Sequence, residues 1–387
     1  MKRLKEIFRI INISQIIDFI FFPIILLISL ICKPFCKNIW LVEENSNEAC
    51  DNGYIFFKYL RKERKDINVY YVINKKSKDY NKVKSLGNVI QHRSLKHWIY
   101  YLNAKKIIVT QKYANPSPAL FYILHTRNIL KIPRIFLQHG LTKDDAKMFY
   151  YNRTKFKLYI CGALREYKYI KEKFGYPDDS VVYTGLARFD NLVLNNEINN
   201  YILIAPTWRN YINKQNDFDT YIKKYYDILS NQELVNLIKN KNIIIQVVLH
   251  KNMNKFKINC NFKSKNIKIN HNHEVDIQDI LNKADLLITD YSSIFFDIAY
   301  RKRGIIYYQF DYEMFRKNQL QVGYFSFEND SFGDVFDNCN DVIEKIKYYI
   351  NNNFKIEDKY EKRMTDFFER KDKNNSKRIL EAIERIK

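Results

Sequence analysis

The sequence of 387 residues lacks the features that identify several common classes of protein. Its six cysteines are scattered, and Cys32 and Cys36 have three residues between them, so the chain has neither a CxxC redox motif nor paired zinc-binding cysteines. Free thiols in a reducing compartment are therefore expected. The chain also lacks a dense block of lysine and arginine and any known nucleic-acid-binding motif, so nucleic acid is not predicted as a partner.

Positive charge is what the chain has in excess. Its 65 lysines and arginines outnumber its 43 acidic residues, and the formal net charge is +22. Such a balance suits anionic partners, namely phosphate-rich substrates or anionic lipid headgroups. The acidic pairs Asp144-Asp145 and Asp178-Asp179 are not placed like metal-binding DxD sites, so we predict that neither a metal ion nor another cofactor is required.

Residues 1–36 form a distinct segment that is predicted to associate with a membrane. An apolar run from Ile16 to Cys32, interrupted by Asp18 and Pro23, follows four basic residues, which are Lys2, Arg3, Lys5 and Arg9. As a helix the run would span about 25 Å, just short of the ~30 Å hydrocarbon core of a bilayer. An interfacial helix on an anionic membrane surface is the first prediction. A single transmembrane helix and a helix packed on the protein's own core are the alternatives.

From Ile39 onwards, short apolar runs alternate with helical patterns, as in a parallel, doubly wound sheet. The polar stretch Asn195 to Asn200 interrupts this alternation, which restarts at Tyr201. The predicted division is therefore a membrane-associating segment at 1–36, a first α/β domain at 37–195, a second α/β domain at 196–345 and C-terminal helices at 346–387.

Polar residues follow several of the predicted strands. Gln138-His139-Gly140 comes after the strand that ends at Leu137, Arg188 lies just past the strand that ends at Tyr183, and His250 follows another strand. Ligands of open α/β sheets bind beyond the carboxyl ends of the strands. His139 is therefore a candidate general base, and a structural loop histidine is the alternative. Arg188 is a candidate phosphate ligand, and a solvated surface cation is its alternative.

The stretch from Asp285 to Asp311 contains the most distinctive local pattern. An apolar strand, Leu286 to Thr289, breaks at Asp290-Tyr291, and Ser292-Ser293 then stand where a helix begins. Hydroxyls and unpaired backbone N–H groups at a helix N-terminus favour an anion such as phosphate. A capped helix without a ligand is the alternative.

Taken together, these motifs resemble the CDP-glycerol glycerophosphotransferase (teichoic acid polymerase) family. The resemblance is carried by Gln138-His139-Gly140, Thr184 to Asp190, Pro206-Thr207-Trp208-Arg209, Leu249-His250 and Ile288 to Asp297. Four positions depart from the family pattern: Lys251 and Ala187 stand where proline is usual, and Arg303-Gly304 stands where Lys-Pro is common.

The resemblance implies two Rossmann-like domains that face a cleft in a GT-B-like architecture, with the acceptor on the first domain and the donor nucleotide on the second. It implies transfer of glycerol phosphate or ribitol phosphate from a CDP-activated donor to a lipid-linked teichoic acid or capsule acceptor, with release of CMP. The acceptor would be a glycan on polyprenyl diphosphate at the cytoplasmic face of the cell membrane. A sugar-nucleotide glycosyltransferase and a non-catalytic membrane-associated binding protein are the alternatives.

The resemblance also assigns roles to residues. His139 is expected to be the general base and His250 a second catalytic residue. The expected donor-binding residues are Thr289, Asp290, Ser292, Ser293, Asp297 and Arg209. The expected phosphate- or acceptor-binding residues are Gln138, Gly140 and Arg188.

Overall fold

The computed structural model describes residues 10–259, 264–271 and 274–386, and the chain forms two compact units. Unit 1 comprises Met1–Leu141, Lys147–Asn191 and Asp372–Lys387. Unit 2 comprises Thr142–Ala146 and Leu192–Lys371. Each unit contains one parallel sheet, which confirms the predicted α/β class. The predicted arrangement of the two units about a cleft stays a prediction.

The sheet of unit 1 has seven parallel strands in the order β3-β2-β1-β4-β5-β6-β7. These strands are β1 (Ile39–Glu43), β2 (Asn68–Ile73), β3 (Val89–Gln91), β4 (Lys106–Val109), β5 (Arg134–Phe136), β6 (Leu158–Cys161) and β7 (Val181–Tyr183). The order reverses between β1 and β4, and a crevice is expected at the carboxyl ends of strands at such a switch point.

The sheet of unit 2 has six parallel strands in the order β10-β9-β8-β11-β12-β13, with its switch point between β8 and β11. Its strands are β8 (Tyr201–Ala205), β9 (Ile244–Leu249), β10 (Ile267–His271), β11 (Leu286–Thr289), β12 (Gly304–Tyr308) and β13 (Asp334–Phe336). The sequence pattern did not predict β10 and β13. Both carry polar or charged residues and are mostly not buried, because each lies at an edge of the sheet.

Helices cover the sheets, and their apolar sides form the cores. In unit 1 the helices beyond the N-terminal segment are Asn52–Glu63, Tyr80–Lys84, Leu95–Asn103, Pro118–Thr126, Tyr151–Thr154, Leu164–Lys173 and Asn375–Glu384. In unit 2 they are Gln215–Leu229, Gln232–Asn240, Ile277–Lys283, Phe295–Tyr300, Tyr312–Asn318, Phe327–Asp330, Cys339–Asn351 and Asp358–Phe367. Short 3-10 helices occur at Lys33–Phe35, Lys147–Phe149, Asp178–Ser180, Ala187–Asn191 and Lys251–Met253.

The observed division differs in detail from the predicted domain bounds. Unit 2 begins again at Leu192, a few residues before the predicted boundary, because Arg303 of unit 2 donates hydrogen bonds to the carbonyls of Asn195 and Glu197. The C-terminal helices do not form one group. Those at Cys339–Asn351 and Asp358–Phe367 belong to unit 2, whereas the last helix belongs to unit 1.

The N-terminal helix, Ile13–Cys32, packs on unit 1 through its polar residues. Gln15, Asp18 and Ser29 are buried, whereas most of the large apolar side chains point outwards. Phe22 is an exception, since its ring lies 6.5 Å from that of Trp98. The exposed apolar residues of this helix include Ile13, Ile16, Ile17, Ile20, Phe21, Ile24, Leu26, Leu27, Leu30 and Ile31. By length and composition, the stretch from Ile13 to Phe35 is long and apolar enough to cross a membrane. The basic residues at 2–9 lie outside the described residues.

Candidate active site

His139 and Asp51 form the centre of a polar cluster in unit 1. His139 lies beyond the carboxyl end of β5, and Asp51 precedes the helix Asn52–Glu63 that follows β1. The imidazole Nδ1 of His139 lies 2.5 Å from Oδ2 of Asp51. The side chain of His139 is 62% exposed, whereas that of Asp51 is only 6% exposed. A solvent-accessible histidine is therefore held by a buried carboxylate.

Asp51 is a carboxylate despite its burial. Burial raises its pKa, but the neighbouring His139 and Arg188 outweigh that effect and hold the pKa of Asp51 below its ordinary value. The guanidinium of Arg188 donates to Oδ1 of Asp51 at 3.0 Å and to the carbonyl of His139 at 2.5 Å. Because a carboxylate only accepts hydrogen bonds, Nδ1 of His139 carries the proton and Nε2 is the basic atom.

Asn52 and Gln138 join this cluster to the scaffold. Asn52 donates to the carbonyl of Gln138 at 2.9 Å and accepts from the backbone N–H of Arg188 at 3.0 Å. Gln138 is buried, with its side-chain amide donating to Glu166 at 2.9 Å and to a β6 carbonyl. Its φ of 64° lies in the left-handed region, which is uncommon for a residue other than glycine and marks a constrained turn. Gln138 therefore positions His139, and its predicted contact with phosphate or the acceptor stays a prediction.

Glu44 fixes the backbone around Asp51. Its carboxylate accepts from the backbone N–H groups of Cys50 at 3.0 Å, Asp51 at 3.1 Å and Tyr54 at 2.6 Å. Burial, together with the nearby Asp51 charge, raises the pKa of Glu44 to about 8, against the effect of these donors. Glu44, which directly follows β1, thereby fixes the first turn of the Asn52–Glu63 helix.

In unit 2 the predicted donor-binding residues Asp290 and Arg209 form a buried ion-pair network. Their side chains are fully buried, and Arg209 Nη2 lies 2.8 Å from Asp290. Arg209 also binds both carboxylate oxygens of Asp311, at 2.7 and 2.9 Å. Asp290 accepts from both the backbone and the hydroxyl of Thr207. This network joins the ends of β8 and β11 at the switch point of the sheet.

Arg209 stays charged although it is buried. Burial disfavours its charged form, but Asp290 and the other surrounding groups outweigh that effect, so the pKa of Arg209 lies above its usual range. Two carboxylates already satisfy the cation, and its planar group lies about 5.0 Å from the ring of Tyr291. Arg209 and Asp290 therefore position the loop that carries Tyr291, and their predicted contact with the donor stays a prediction.

The loop after β11 differs from the predicted capped helix. The helix Phe295–Tyr300 has only six residues, its N-cap is Ile294, and no side chain caps it. Ser292 accepts weakly from the N–H of Ile294 at 3.4 Å. Ser292 and Ser293 are partly exposed and are available to a ligand by position. A six-residue helix has only a small dipole, so any anion site here depends on the two hydroxyls more than on the helix.

Thr289 and Asp297, also predicted to bind the donor, are fully buried. The hydroxyl of Thr289 donates to the carbonyl of Ala205 at 2.7 Å and thus links β11 to β8. Asp297 lies inside the six-residue helix among the aromatic residues of the core. The predicted contacts of Thr289 and Asp297 with the donor stay predictions.

His250 follows β9 as predicted, but its ring serves as a local cap. Its Nδ1 accepts from the backbone N–H of Asn252 at 3.2 Å, and its ring stacks on Trp208 with centroids 6.0 Å apart. Trp208 and Asn252 also line a cavity of about 250 Å³. The catalytic role of His250 stays a prediction, as do the roles of Gly140 and Arg188 in binding phosphate.

Asp51, Asn52 and Glu44 were not predicted from the sequence. The available signal was Asp51-Asn52-Gly53, an N-cap pattern that begins the first long helix after β1. That pattern identifies a helix start, but it does not show which loop the carboxylate contacts. The partner of Asp51 is 88 residues away, and only the parallel sheet brings the two together.

The described residues contain no group of three or more histidine, cysteine or acidic side chains suited to a metal ion. The prediction that no metal is required stays a prediction. Five cysteines, Cys32, Cys36, Cys50, Cys161 and Cys339, are free thiols. Cys260 lies outside the described residues.

Comparison with curated proteins finds teichoic acid enzymes. The chain is 31% identical over 364 residues to the minor teichoic acid biosynthesis protein GgaB of Bacillus subtilis, a match covering 90% of this chain but 40% of that protein. It is 25% identical to the teichoic acid poly(glycerol phosphate) polymerase of Bacillus spizizenii, covering 86% of this chain and 88% of the polymerase. The chain thus spans well under half the length of one relative and most of the other.

Comparison with solved structures and family models gives the same result. The wall teichoic acid polymerase TagF superposes with a TM-score of 0.62 over 97% of this chain and 100% of the TagF chain, at 14% identity, which shows a common fold. The family model described as CDP-glycerol:poly(glycerophosphate) glycerophosphotransferase matches residues 27–385. The family resemblance seen in the motifs is thereby confirmed, and the chain belongs to the CDP-glycerol:poly(glycerophosphate) glycerophosphotransferase family.

Proposed function

We propose that this chain transfers glycerol phosphate or ribitol phosphate from a CDP-activated donor to a hydroxyl of a lipid-linked teichoic acid or capsule acceptor, and releases CMP. The observation that carries the proposal is the family match over residues 27–385. The exposed His139, oriented by buried Asp51, supports it, because a hydroxyl nucleophile needs a base.

The proposed reaction is one displacement at phosphorus. The acceptor oxygen bonds to the β-phosphorus of the donor while the bond from that phosphorus to the CMP oxygen breaks, and CMP leaves with the bonding electron pair. Nε2 of His139 takes the proton of the attacking hydroxyl. Asp51 keeps the imidazole in the required tautomer and stabilises the imidazolium that forms.

The donor is proposed to lie at the carboxyl edge of the unit 2 sheet. Ser292 and Ser293 are partly exposed there and can donate hydrogen bonds to phosphate oxygens. The buried ion pair between Arg209 and Asp290 positions the loop that carries these two serines. Transfer requires donor and acceptor to meet at His139, and the cleft that the resemblance implies stays a prediction.

A donor screen tests the activity. The protein is incubated with CDP-glycerol, CDP-ribitol and UDP-sugars together with a lipid-linked acceptor analogue, and the released nucleotide is measured. CMP release with a mass gain of one polyol phosphate is expected. Release of UDP alone would show a glycosyltransferase, and tight nucleotide binding without turnover would show a binding protein.

His139→Ala tests the base. Its turnover is expected to fall by about 100-fold or more, as is usual when a general base is lost. Unfolding midpoints of wild type and variant are compared, because the exposed His139 contributes little packing. Unchanged turnover in a folded variant would remove His139 from the mechanism.

We also propose that the protein works at the cytoplasmic face of the cell membrane, with the Ile13–Cys32 helix lying on the bilayer. The support is the outward direction of its apolar side chains combined with the polar attachment of its inner side. Asp18 is ion-paired with Arg93 at 2.8 Å, Gln15 accepts from Ser117 at 2.9 Å, and Ser29 accepts from Asn103 at 2.8 Å. A helix fixed to unit 1 along its length favours a monotopic arrangement over a spanning one.

A further inference from the structure

Besides the cavity of unit 2 that Trp208 and Asn252 line, a polar cavity lies in unit 1, at the switch point of the unit 1 sheet. Its volume is about 290 Å³, and its lining includes Glu43 and Glu44 from the end of β1, Gln111 and Asn115 from the segment after β4, and His92. Met148 and Phe149 supply an apolar part of the wall. A crevice between the carboxyl ends of β1 and β4 is where this type of sheet binds ligands.

In the wall of this cavity the carboxylate of Glu43 orients His92, as Asp51 orients His139 in the candidate active site. Oε1 of Glu43 lies 2.9 Å from Nδ1 of His92, and Oε2 lies 3.5 Å from Nε2 of the buried His97. Burial raises the pKa of Glu43, but the two histidines outweigh that effect and keep it below its ordinary value. Glu43 is therefore a carboxylate, and Nδ1 of His92 carries the proton that it accepts.

The tautomers follow from these contacts. Nδ1 of His97 accepts from the backbone N–H of Arg93 at 3.1 Å, so its proton is on Nε2, towards Glu43. Burial lowers the pKa of His97, which keeps that ring neutral. His92 uses Nδ1 for Glu43, so a ligand in the cavity meets Nε2, a hydrogen-bond acceptor. Its side chain is 19% exposed, enough for such a contact.

The lining indicates the class of ligand. Glu43 is ionised and Lys112 is a cation, whereas Glu44, with a pKa of about 8, is mostly protonated at neutral pH. The wall thus has no excess of positive charge and suits hydroxyl groups better than phosphate. The side chains of Asn45, Ser46 and Gln111 add donors and acceptors, and Phe149 offers a flat apolar surface to C–H groups. At about 30 Å³ for each water in the liquid, the volume corresponds to roughly ten waters, which is room for one polyol or sugar unit.

The cavity adjoins the candidate active site through Glu44. The carboxylate of Glu44 lines the cavity and accepts from the backbone N–H of Asp51, and Asp51 in turn holds His139. The cavity is thus linked to the proposed general base through Glu44 and Asp51, although neither Asp51 nor His139 lines it.

We propose that this cavity binds one hydroxylated unit of the acceptor, a polyol or sugar residue, with Nε2 of His92 accepting a hydrogen bond from one of its hydroxyls. Glu43 and His97 position His92. The proposal rests on the transferase function, since it assigns the acceptor subsite of that reaction.

The test compares wild type, His92→Ala and His92→Gln with two soluble acceptor probes. One probe is an alkyl-linked dimer of glycerol phosphate, and the other is the same dimer with its hydroxyls methylated. Binding is measured by NMR titration without donor, and steady-state kinetics are measured with CDP-glycerol. Wild type should bind the hydroxylated probe about three- to tenfold more tightly than the methylated one, the range of one hydrogen bond, and His92→Ala should abolish that preference.

Kinetics should show a raised KM for the acceptor, with kcat at saturation and donor KM unchanged. Lys96→Ala, which removes an exposed cation close in sequence but outside the cavity, is the control and should behave as wild type. Ser46→Trp, which fills the cavity without touching Glu43, should weaken binding of the hydroxylated probe even if both His92 variants unfold.

Unchanged binding of both probes in the His92 variants and in Ser46→Trp would overturn the proposal. A fall in kcat with unchanged acceptor KM would also overturn it, because it would place His92 in the chemical step. If wild type released no CMP from any CDP-polyol, the transferase function would fail, whereas the binding measurement would still decide the cavity.

Discussion

At the scale of single residues, the candidate site depends on how charges are neutralised inside the protein. His139 is exposed but oriented, because Asp51 is buried and kept ionised by Arg188. Arg209 is buried and kept ionised by Asp290 and Asp311. In each case one partner alone would be a costly buried charge, so the groups are expected to act as units.

Asp51→Asn tests the orientation of His139. The amide keeps the shape but no longer requires the proton on Nδ1, so kcat is expected to fall by about 100-fold or more, as for loss of a general base. The exposed carboxylate variant Asp66→Asn is the control and should keep the kcat of wild type. An unchanged kcat in a folded Asp51→Asn variant, or an equal loss in both variants, would contradict the orienting role of Asp51.

Arg209→Leu tests the buried network of unit 2. Two carboxylates would lose their partner, and the free energy of unfolding is expected to drop by about 3–5 kcal/mol, measured by urea denaturation. Arg209→Lys should lower the free energy of unfolding by part of this amount, since lysine cannot bind Asp311 through two parallel hydrogen bonds. Lys223→Leu, which removes an exposed pair with Asp227, should cost no more than about 1 kcal/mol. Equal losses for Arg209→Leu and Lys223→Leu would contradict the network.

At the scale of elements, the Ile13–Cys32 helix has its polar residues inside and its apolar residues outside, the reverse of a helix on a soluble protein. A large exposed apolar surface usually marks an interaction site. The hydrogen bonds that Gln15 and Ser29 accept from Ser117 and Asn103, and the ion pair of Asp18, explain why this side faces unit 1.

Ile20→Asp should weaken membrane binding without unfolding the protein. Ile20 is 66% exposed, so the substitution removes little packing within the chain. If the side chain enters the bilayer, its loss costs about 1.5–3 kcal/mol of binding, or roughly ten- to hundredfold in affinity. Flotation on anionic liposomes measures the change. Ser14→Asp adds the same charge at an exposed, non-apolar position and should bind nearly as wild type. Equal flotation of Ile20→Asp and Ser14→Asp would argue against an interfacial helix.

At the scale of the whole molecule, the chain leaves unit 1, builds unit 2 and returns to unit 1 for its last helix. Asp190 binds the N-terminus of this last helix. Its carboxylate accepts hydrogen bonds from the backbone N–H groups of Asn375 and Ser376, at 2.9 and 2.7 Å. Gly185 packs against the side chain of Asn375 and has a φ of 86°. A Cβ at position 185 would lie only 1.8 Å from that side chain. The Thr184 to Asp190 motif therefore contains a docking site for the C-terminal helix as well as Arg188.

Asp190→Ala is expected to destabilise unit 1. The N-cap residue of this helix, Asn374, makes no side-chain cap, so Asp190 takes that role from a distant part of the chain. Loss of a cap costs about 1–2 kcal/mol, and hydrogen exchange should rise first at residues 375–384. Asp366→Ala, at an exposed position in unit 2, is the control. No change in exchange at the last helix would show that other contacts hold it.

The sequence by itself determined most of the elements, though not the edge strands β10 and β13, and the chemistry that lies next to them. Apolar runs of strand length with helices between them were sufficient to predict two parallel α/β halves, and the order of the motifs was sufficient to indicate the family. His139, Arg188 and His250 were predicted at strand ends because a strand and the residue after it are neighbours in the chain. Such patterns are local, and so are the predictions that depend on them.

Only the tertiary structure decided which groups meet. His139 contacts Asp51, which is 88 residues away in the chain, and Arg209 contacts Asp311, which is 102 residues away. These contacts form because crossovers between parallel strands bring the carboxyl ends of distant strands to one edge of the sheet. It also decided that Thr289, Asp290 and Asp297 are buried. The N-terminal helix shows the same limit. Its composition indicated a membrane, but contacts with distant residues determined which side of the helix faces outwards.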